Sequence, residues 1–161
     1  MSSLQVRIER LAPMRVASFR CFGETPERDA WARLRAWAEP QGLLEDVEQH
    51  PVFGFNNPNP SRDRKEYGYE FWIRIDPESE PEPGIEVKDF EGGLFAVATC
   101  KLLGDPAGTV PAVWQKLFDW AGANGYRWRD VHELERPVDP RAPEAELVLD
   151  LCLPVQDREP E

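Results

Sequence analysis

An internal repeat constrains the fold of this chain more than any other feature of its sequence. Two segments, 31–43 and 114–126, carry Trp, Leu, Trp, Ala and Gly at the same spacing, 83 residues apart. Apolar residues three and four positions apart share one face of a helix, and a glycine after them is typical of a helix end. The repeat therefore predicts a duplicated unit with an approximate two-fold axis between its copies, although two unrelated amphipathic helices could also look alike. The matched positions are Trp31, Leu34, Trp37, Ala38 and Gly42, and then Trp114, Leu117, Trp120, Ala121 and Gly125.

Strand-like segments flank each helix, because apolar and polar residues alternate there. Thr25 with Pro26 opens the first helix, and Thr109 with Pro111 opens the second. We therefore predict an α+β fold made of a duplicated β-β-α-β-β unit with pseudo-two-fold symmetry, in which an antiparallel sheet carries two helices on one face. The predicted strands are 6–11, 15–22, 51–55 and 66–75 in the first half, and 85–90, 94–103, 131–136 and 147–155 in the second.

The halves are separated by an acidic, proline-rich segment, 76–84, which is typical of a linker. We predict one domain over 1–155, with pseudo-repeats 4–76 and 85–155 and a flexible polar tail at 156–161. The last strands of the two repeats can be aligned so that Glu70 falls on Asp150.

The formal net charge of −11 argues against direct binding to nucleic acid or to an anionic membrane surface. The start of the chain lacks the apolar run of a signal peptide, and no segment reaches the length of a membrane span. Cys21, Cys100 and Cys152 are far apart and lie in apolar stretches, as reduced buried thiols do. We therefore expect a cytoplasmic protein.

Residues 55–58 (FNNP) lead into Tyr69-Glu70-Phe71, and Leu134-Glu135 is a hydrophobic–Glu pair on the penultimate predicted strand. With these residues in the duplicated β-β-α-β-β order, the chain resembles the GyrI-like (gyrase-inhibitor-like) family over nearly its whole length, about residues 6–155. That family overlaps the effector-binding domains of AraC-type and MerR-type multidrug regulators, and it has such segments before its long strand and on its penultimate strand. The family usually has an aromatic residue two positions after that Glu, where this chain has Pro137, so Glu133 is the alternative family glutamate. No helix-turn-helix pattern is present, and we expect a stand-alone effector-binding domain.

A carboxylate among aromatic rings is a good receptor for a lipophilic cation. The resemblance implies such a site here, although each acid could also be a solvated strand residue and each ring ordinary core. On the strand 66–75 the tyrosines alternate with Glu70 and Trp72, which puts them on opposite faces. The predicted ligand-binding residues are Glu135, Glu70, Tyr67, Tyr69, Trp72, Trp114, Trp31 and Phe55.

Three functions follow as hypotheses. The first is the binding of a hydrophobic, possibly cationic, small molecule. The second, implied by the resemblance, is hydrolysis of cyclopropane-bearing toxic compounds, with Glu135 as general acid/base and Tyr69 holding the substrate. The third is an acidic protein whose partner is a regulator or gyrase. Because neither His50 nor His132 has a ligand partner at helical spacing and no phosphate-binding loop is present, we expect no metal and no cofactor.

Overall fold

The computed structural model describes residues 5–101, 106–143 and 146–156, which form eight strands and two α-helices. Their order repeats β-β-α-β-β, and the α+β fold predicted from the sequence is confirmed. The elements are β1 (Val6–Leu11), β2 (Met14–Gly23), α1 (Pro26–Ala38), β3 (Val52–Asn56), β4 (Tyr67–Arg74), β5 (Glu86–Phe90), β6 (Gly93–Lys101), α2 (Pro106–Ala123), β7 (Leu134–Pro137) and β8 (Val148–Pro154). None of the described helices is both long enough and apolar enough to cross a membrane.

The chain divides into two compact units. The first unit is Pro13–Glu91, and the second combines Met1–Ala12 with Gly92–Glu161. β1 pairs with β6 in the second unit, and β5 pairs with β2 in the first. β1 is the first strand of the predicted pseudo-repeat 4–76 but belongs to the second unit. In the same way, β5 is the first strand of the pseudo-repeat 85–155 but belongs to the first unit.

The first unit is an antiparallel sheet in the order β3-β4-β2-β5 with α1 against one face. Leu34 and Ala38 of α1 are fully buried against Phe19 and Ile73 of the sheet. We call the side of the sheet that contacts the helix the helix face, and the other side the reverse face. Because side chains alternate along a strand, each strand contributes to both faces.

The second unit has the same plan, with strand order β1-β6-β8-β7 and α2 against the sheet. Leu117 and Ala121 of α2 are buried among Ala98, Leu151 and Leu153. The Leu and Ala of the repeated helix motif thus make the core in both units, as their helical spacing indicates.

Some boundaries differ from those predicted. α2 begins at Pro106 rather than at Thr109, because Pro106 also suits the first turn of a helix, and Pro111 lies inside the helix. The segment 76–84 belongs to the first unit, where Glu82 accepts a hydrogen bond of 2.7 Å from Nε1 of Trp37. Of the predicted tail, Gln156 is described, and 157–161 lie outside the described residues.

We expect Leu34→Ala and Leu117→Ala each to lower the free energy of unfolding by about 2–5 kcal/mol, because each leaves a cavity in a closed core. Urea denaturation followed by circular dichroism measures the change. Arg28→Ala and Lys116→Ala, on exposed positions of the same helices, are the controls and should change it by less than about 0.5 kcal/mol. A loss below about 1 kcal/mol for either leucine variant would contradict the packing described above.

Candidate functional site

The predicted site residues of the first unit lie on two different faces. Phe71 of β4 packs beside the core under α1, so the helix face also carries Tyr69 and Tyr67, two and four residues earlier. Glu70 and Trp72 alternate with them and lie on the reverse face. The structure therefore brings Tyr67, Tyr69 and Trp31 to one side. It places Glu70, Trp72 and Phe55 on the other.

Aromatic rings gather on the helix face. The ring centroids of Trp31 and Phe71 are 5.4 Å apart with the planes at 57°, and those of Tyr69 and Phe71 are 4.9 Å apart at 59°. Trp31 and Phe71 are half-buried, whereas Tyr69 is buried. These tilted pairs are the arrangement that aromatic quadrupoles favour.

Gly54 of β3 makes room for these rings. It pairs with Phe71, and a Cβ built on it would lie 2.5 Å from the Tyr69 hydroxyl oxygen and 2.9 Å from Cε1 of Phe71. Any larger residue would push both rings away from the sheet. The sequence signal was the glycine inside an otherwise aromatic strand, FGF.

A carboxylate borders the rings at the start of α1. The Tyr67 hydroxyl donates to Glu27, with distances of 2.7 Å to Oε1 and 2.5 Å to Oε2. Burial, and then the hydrogen bond to Glu27, raise the pKa of the Tyr67 phenol, which therefore stays a neutral donor. Glu27 was not among the predicted site residues, although its spacing of four from Trp31 places both on one helix face. We call Glu27, Trp31, Tyr67, Tyr69 and Phe71 the helix-face cluster.

On the reverse face, Glu70 is a fully buried carboxylate. Its Oε2 accepts hydrogen bonds from Ser18 Oγ at 2.7 Å, Trp72 Nε1 at 2.6 Å and Lys88 Nζ at 2.8 Å. Its Oε1 accepts one from Asn57 Nδ2 at 3.0 Å. Burial alone would raise the pKa of Glu70, but these four donors, led by Lys88, outweigh it and hold this pKa below its ordinary value.

The remaining predicted rings of the first unit surround this carboxylate. Phe55 meets Trp72 edge-on, with ring centroids 4.7 Å apart, and Trp72 lies 5.3 Å from Phe90. Phe55 is 3% exposed and Trp72 9% exposed. Lys88 neutralises the charge of Glu70, and these rings cover the carboxylate from solvent. The arrangement is therefore typical of a structural ion pair.

The second unit contains a similar polar centre around Asp150. Thr99 Oγ1 donates to Asp150 Oδ1 at 2.7 Å, while Arg136 Nη2 and Arg7 Nη2 lie 2.9 and 3.0 Å from Oδ2. Arg136 also contacts Glu9 at 2.9 Å. Burial opposes the charge, but Thr99 and the two arginines hold the pKa of Asp150 below its ordinary value.

The two centres are related by the repeat. Ser18 and Thr99 are 81 residues apart, and so are Arg7 and Lys88. Their registers agree, because Lys88 lies opposite Val16 and Arg7 lies opposite Val97.

The two carboxylates do not lie at equivalent positions of their strands. By strand pairing, Asp150 is equivalent to Trp72, two residues after Glu70, so the alignment of Glu70 with Asp150 is corrected by two residues. Thr99 is directly opposite Asp150, whereas Ser18 is opposite Trp72, two residues beyond Glu70. The extra methylene of glutamate lets Glu70 reach the hydroxyl diagonally. Each centre nonetheless combines a hydroxyl, a cation and a buried carboxylate.

Glu135 and Trp114 lie in the second unit. Glu135 is opposite Leu151, which is buried under α2, so both lie on the helix face of that sheet. Glu135 is half-buried. The pKa of the Cys100 thiol is raised mainly by the burial of that thiol and, in second place, by the negative charge of Glu135. Trp114 is half-buried beside the same core, and Glu133 is exposed. Within the described ranges, no group of His, Cys, Asp and Glu side chains is placed to hold a metal ion.

We expect Glu70→Gln to lower the free energy of unfolding at pH 7 by about 3 kcal/mol, because it removes the buried charge that pairs with Lys88 at 2.8 Å and leaves that lysine only Glu86, at 3.8 Å. The pKa of Glu70 is depressed by folding, so the unfolded chain binds more protons in acid. Its contribution is therefore present above the ordinary glutamate pKa and lost as the pH falls through the folded value. Urea denaturation from pH 7 to pH 3 should show the gap between the two proteins closing.

Glu48→Gln, an exposed acid in the same unit, is the control and should keep the pH profile of the unchanged protein. A constant gap between Glu70→Gln and the unchanged protein across this pH range would contradict the buried ion pair.

Solved structures share this fold at low sequence identity. The C-terminal domain of EcmrR has a TM-score of 0.66 at 15% identity, with 96% of this chain and 99% of that chain covered. A hydrolase of Listeria innocua has a TM-score of 0.65 at 14% identity, covering 96% and 93%. SAV2435, solved with tetraphenylphosphonium bound, has a TM-score of 0.55 at 12% identity, covering 95% and 94%.

Family membership is shown by the sequence itself. A comparison with curated proteins gives no match. Residues 4–156, nearly the whole chain, match the family described as GyrI-like small molecule binding domain. The resemblance noted in the sequence is therefore confirmed, and the chain belongs to the GyrI-like family of small-molecule-binding domains.

Proposed function

We propose that this domain binds hydrophobic small molecules, cations among them, and that the helix-face cluster contacts the ligand. The observation that carries the proposal is the pair of half-buried rings, Trp31 and Phe71, which lie beside the buried Tyr69 and have a carboxylate at their edge. Ring faces attract cations, and apolar ring surface binds hydrocarbon, so the cluster suits a lipophilic cation. Tetraphenylphosphonium, bound in the structure of SAV2435, is a molecule of that class.

Within the second unit, we propose Glu135 and Trp114 as ligand contacts. Both are half-buried on the helix face of the second unit, where a ligand could meet a carboxylate and a ring. For Glu70, Trp72 and Phe55 we propose a supporting role instead. Their burial, and the neutralisation of Glu70 by Lys88, leave little for a ligand to gain from them.

This proposal makes the domain an effector-binding protein of the kind found in multidrug-sensing regulators. The EcmrR domain shares the fold, and the binding chemistry proposed here comes from the residues of this chain. The acidic surface, with a net charge of −11, would also favour the approach of cations over anions.

Titration with tetraphenylphosphonium, followed by tryptophan fluorescence and calorimetry, should give saturable binding in the micromolar range. We expect Trp31→Leu to weaken it about 5- to 30-fold, because the change keeps apolar volume but removes the ring face. Trp128→Phe changes an exposed ring outside the cluster and should leave the affinity within twofold. Absence of binding at millimolar ligand, or equal effects of the two changes, would contradict the proposal.

Glu135→Gln should weaken tetraphenylphosphonium about 5-fold, because it removes a half-buried negative charge while keeping the shape of the side chain. Glu133→Gln is the matched control, since this exposed acid precedes Glu135 by two residues. If Glu133→Gln had the larger effect, the ligand contact would belong to Glu133.

Mass spectrometry of the ligand after incubation tests the catalytic alternative. A binding domain returns a cyclopropane-bearing compound unchanged. Hydrolysed product that disappears in Glu135→Gln would replace the binding proposal with the hydrolase hypothesis.

A further inference from the structure

We infer that Glu27 gives the helix-face cluster a preference for cations over neutral or anionic molecules of the same shape. The inference rests on the proposed function and adds to it a specificity-determining residue.

The first step is the position of the carboxylate. Glu27 lies in the first turn of α1, one helical turn before Trp31, so the two side chains share a face of the helix. Tyr67, on the facing strand, reaches both oxygens of Glu27 with its hydroxyl. The carboxylate is thereby fixed between a helix and the strand that carries Tyr69 and Phe71.

The second step is its charge. In the described part of the chain, no Lys or Arg lies within ion-pair distance of Glu27. The carboxylates of the two polar centres are each paired, Glu70 with Lys88 and Asp150 with two arginines. Tyr67 supplies one proton but no charge, and a carboxylate has about four acceptor positions. Among the described residues, Glu27 therefore has no ion-pair partner, and the hydroxyl of Tyr67 uses only part of its acceptor capacity.

The third step is that the fold does not require an acid at position 27 or an aromatic ring at position 71. In the second unit the position 83 residues after Glu27 is Val110, which packs against the apolar core under α2. Phe71 lies opposite Phe19, and the equivalent pair in the second unit is Leu149 opposite Cys100. The duplicated scaffold thus accepts aliphatic residues at both positions, so we assign the acid and the ring of the first unit to ligand recognition.

The fourth step is the consequence for a ligand. A cation seated on the rings gains attraction from the ring faces and from Glu27 together. A neutral molecule covering the same rings would partly desolvate Glu27 without compensating its charge, and an anion would be repelled. Selectivity for charge, rather than affinity alone, is therefore the expected property.

Two probes of the same shape and opposite charge, tetraphenylphosphonium and tetraphenylborate, test the inference by calorimetry, with the smaller triphenylphosphine oxide as a neutral probe. The unchanged protein should bind the phosphonium most tightly. We expect Glu27→Gln to weaken the phosphonium about 5- to 20-fold, to tighten the neutral oxide by no more than about twofold and to improve the borate. Asp29→Asn, an exposed acid of the same helical turn, is the matched control and should leave all three affinities within twofold.

Equal weakening of all three probes by Glu27→Gln would mean that Glu27 serves only the helix, and would overturn the inference while leaving the proposed function standing. Absence of binding for every probe in the unchanged protein would instead refute the proposed function.

Discussion

The buried carboxylate of Glu70 sets a condition that the rest of the first unit must meet. A charge with no exposed surface is stable only if a cation and several donors accompany it, and the cation here is Lys88 of β5. β5 therefore has to lie beside β2, although in sequence it begins the second repeat. Arg7 of β1 meets the same requirement for Asp150 in the second unit. Charge neutralisation thus explains why each unit takes its edge strand from the other repeat.

The alternation of side chains along β4 separates support from recognition. Even-numbered residues from Glu70 onward complete a polar centre and its surrounding rings on the reverse face. Odd-numbered residues place Tyr67, Tyr69 and Phe71 on the helix face, where Tyr69 is buried and the other two rings are half-buried. A single strand can therefore anchor the unit and also carry the surface that we propose for a ligand, because consecutive residues point to opposite faces.

Local patterns predicted the elements well, since helical spacing and strand alternation are properties of neighbouring residues. The burial of Leu34 and Leu117 and the two faces of β4 followed directly from them. The partners of the acids did not, because they depend on strands that meet only after folding. Lys88 is 18 residues from Glu70, and Glu27 is 40 residues from Tyr67. Without those partners, an acid with an ion-pair partner and an acid without one look alike in the sequence, so the sequence singled out Glu70 and not Glu27.

Duplication offers an internal standard for telling the two kinds of acid apart. Features that the scaffold needs should persist in both units, and the hydroxyl–cation–carboxylate centre does, even though its carboxylate has moved by one pleat. Features that serve a ligand are free to differ, and Glu27 with Phe71 corresponds to Val110 with Leu149. If both acids were structural, the loss of one from the second unit would have to be offset there by another polar contact, yet Val110 and Leu149 pack in an apolar cluster. The asymmetry between the units therefore supports recognition by Glu27 independently of any relative of known ligand.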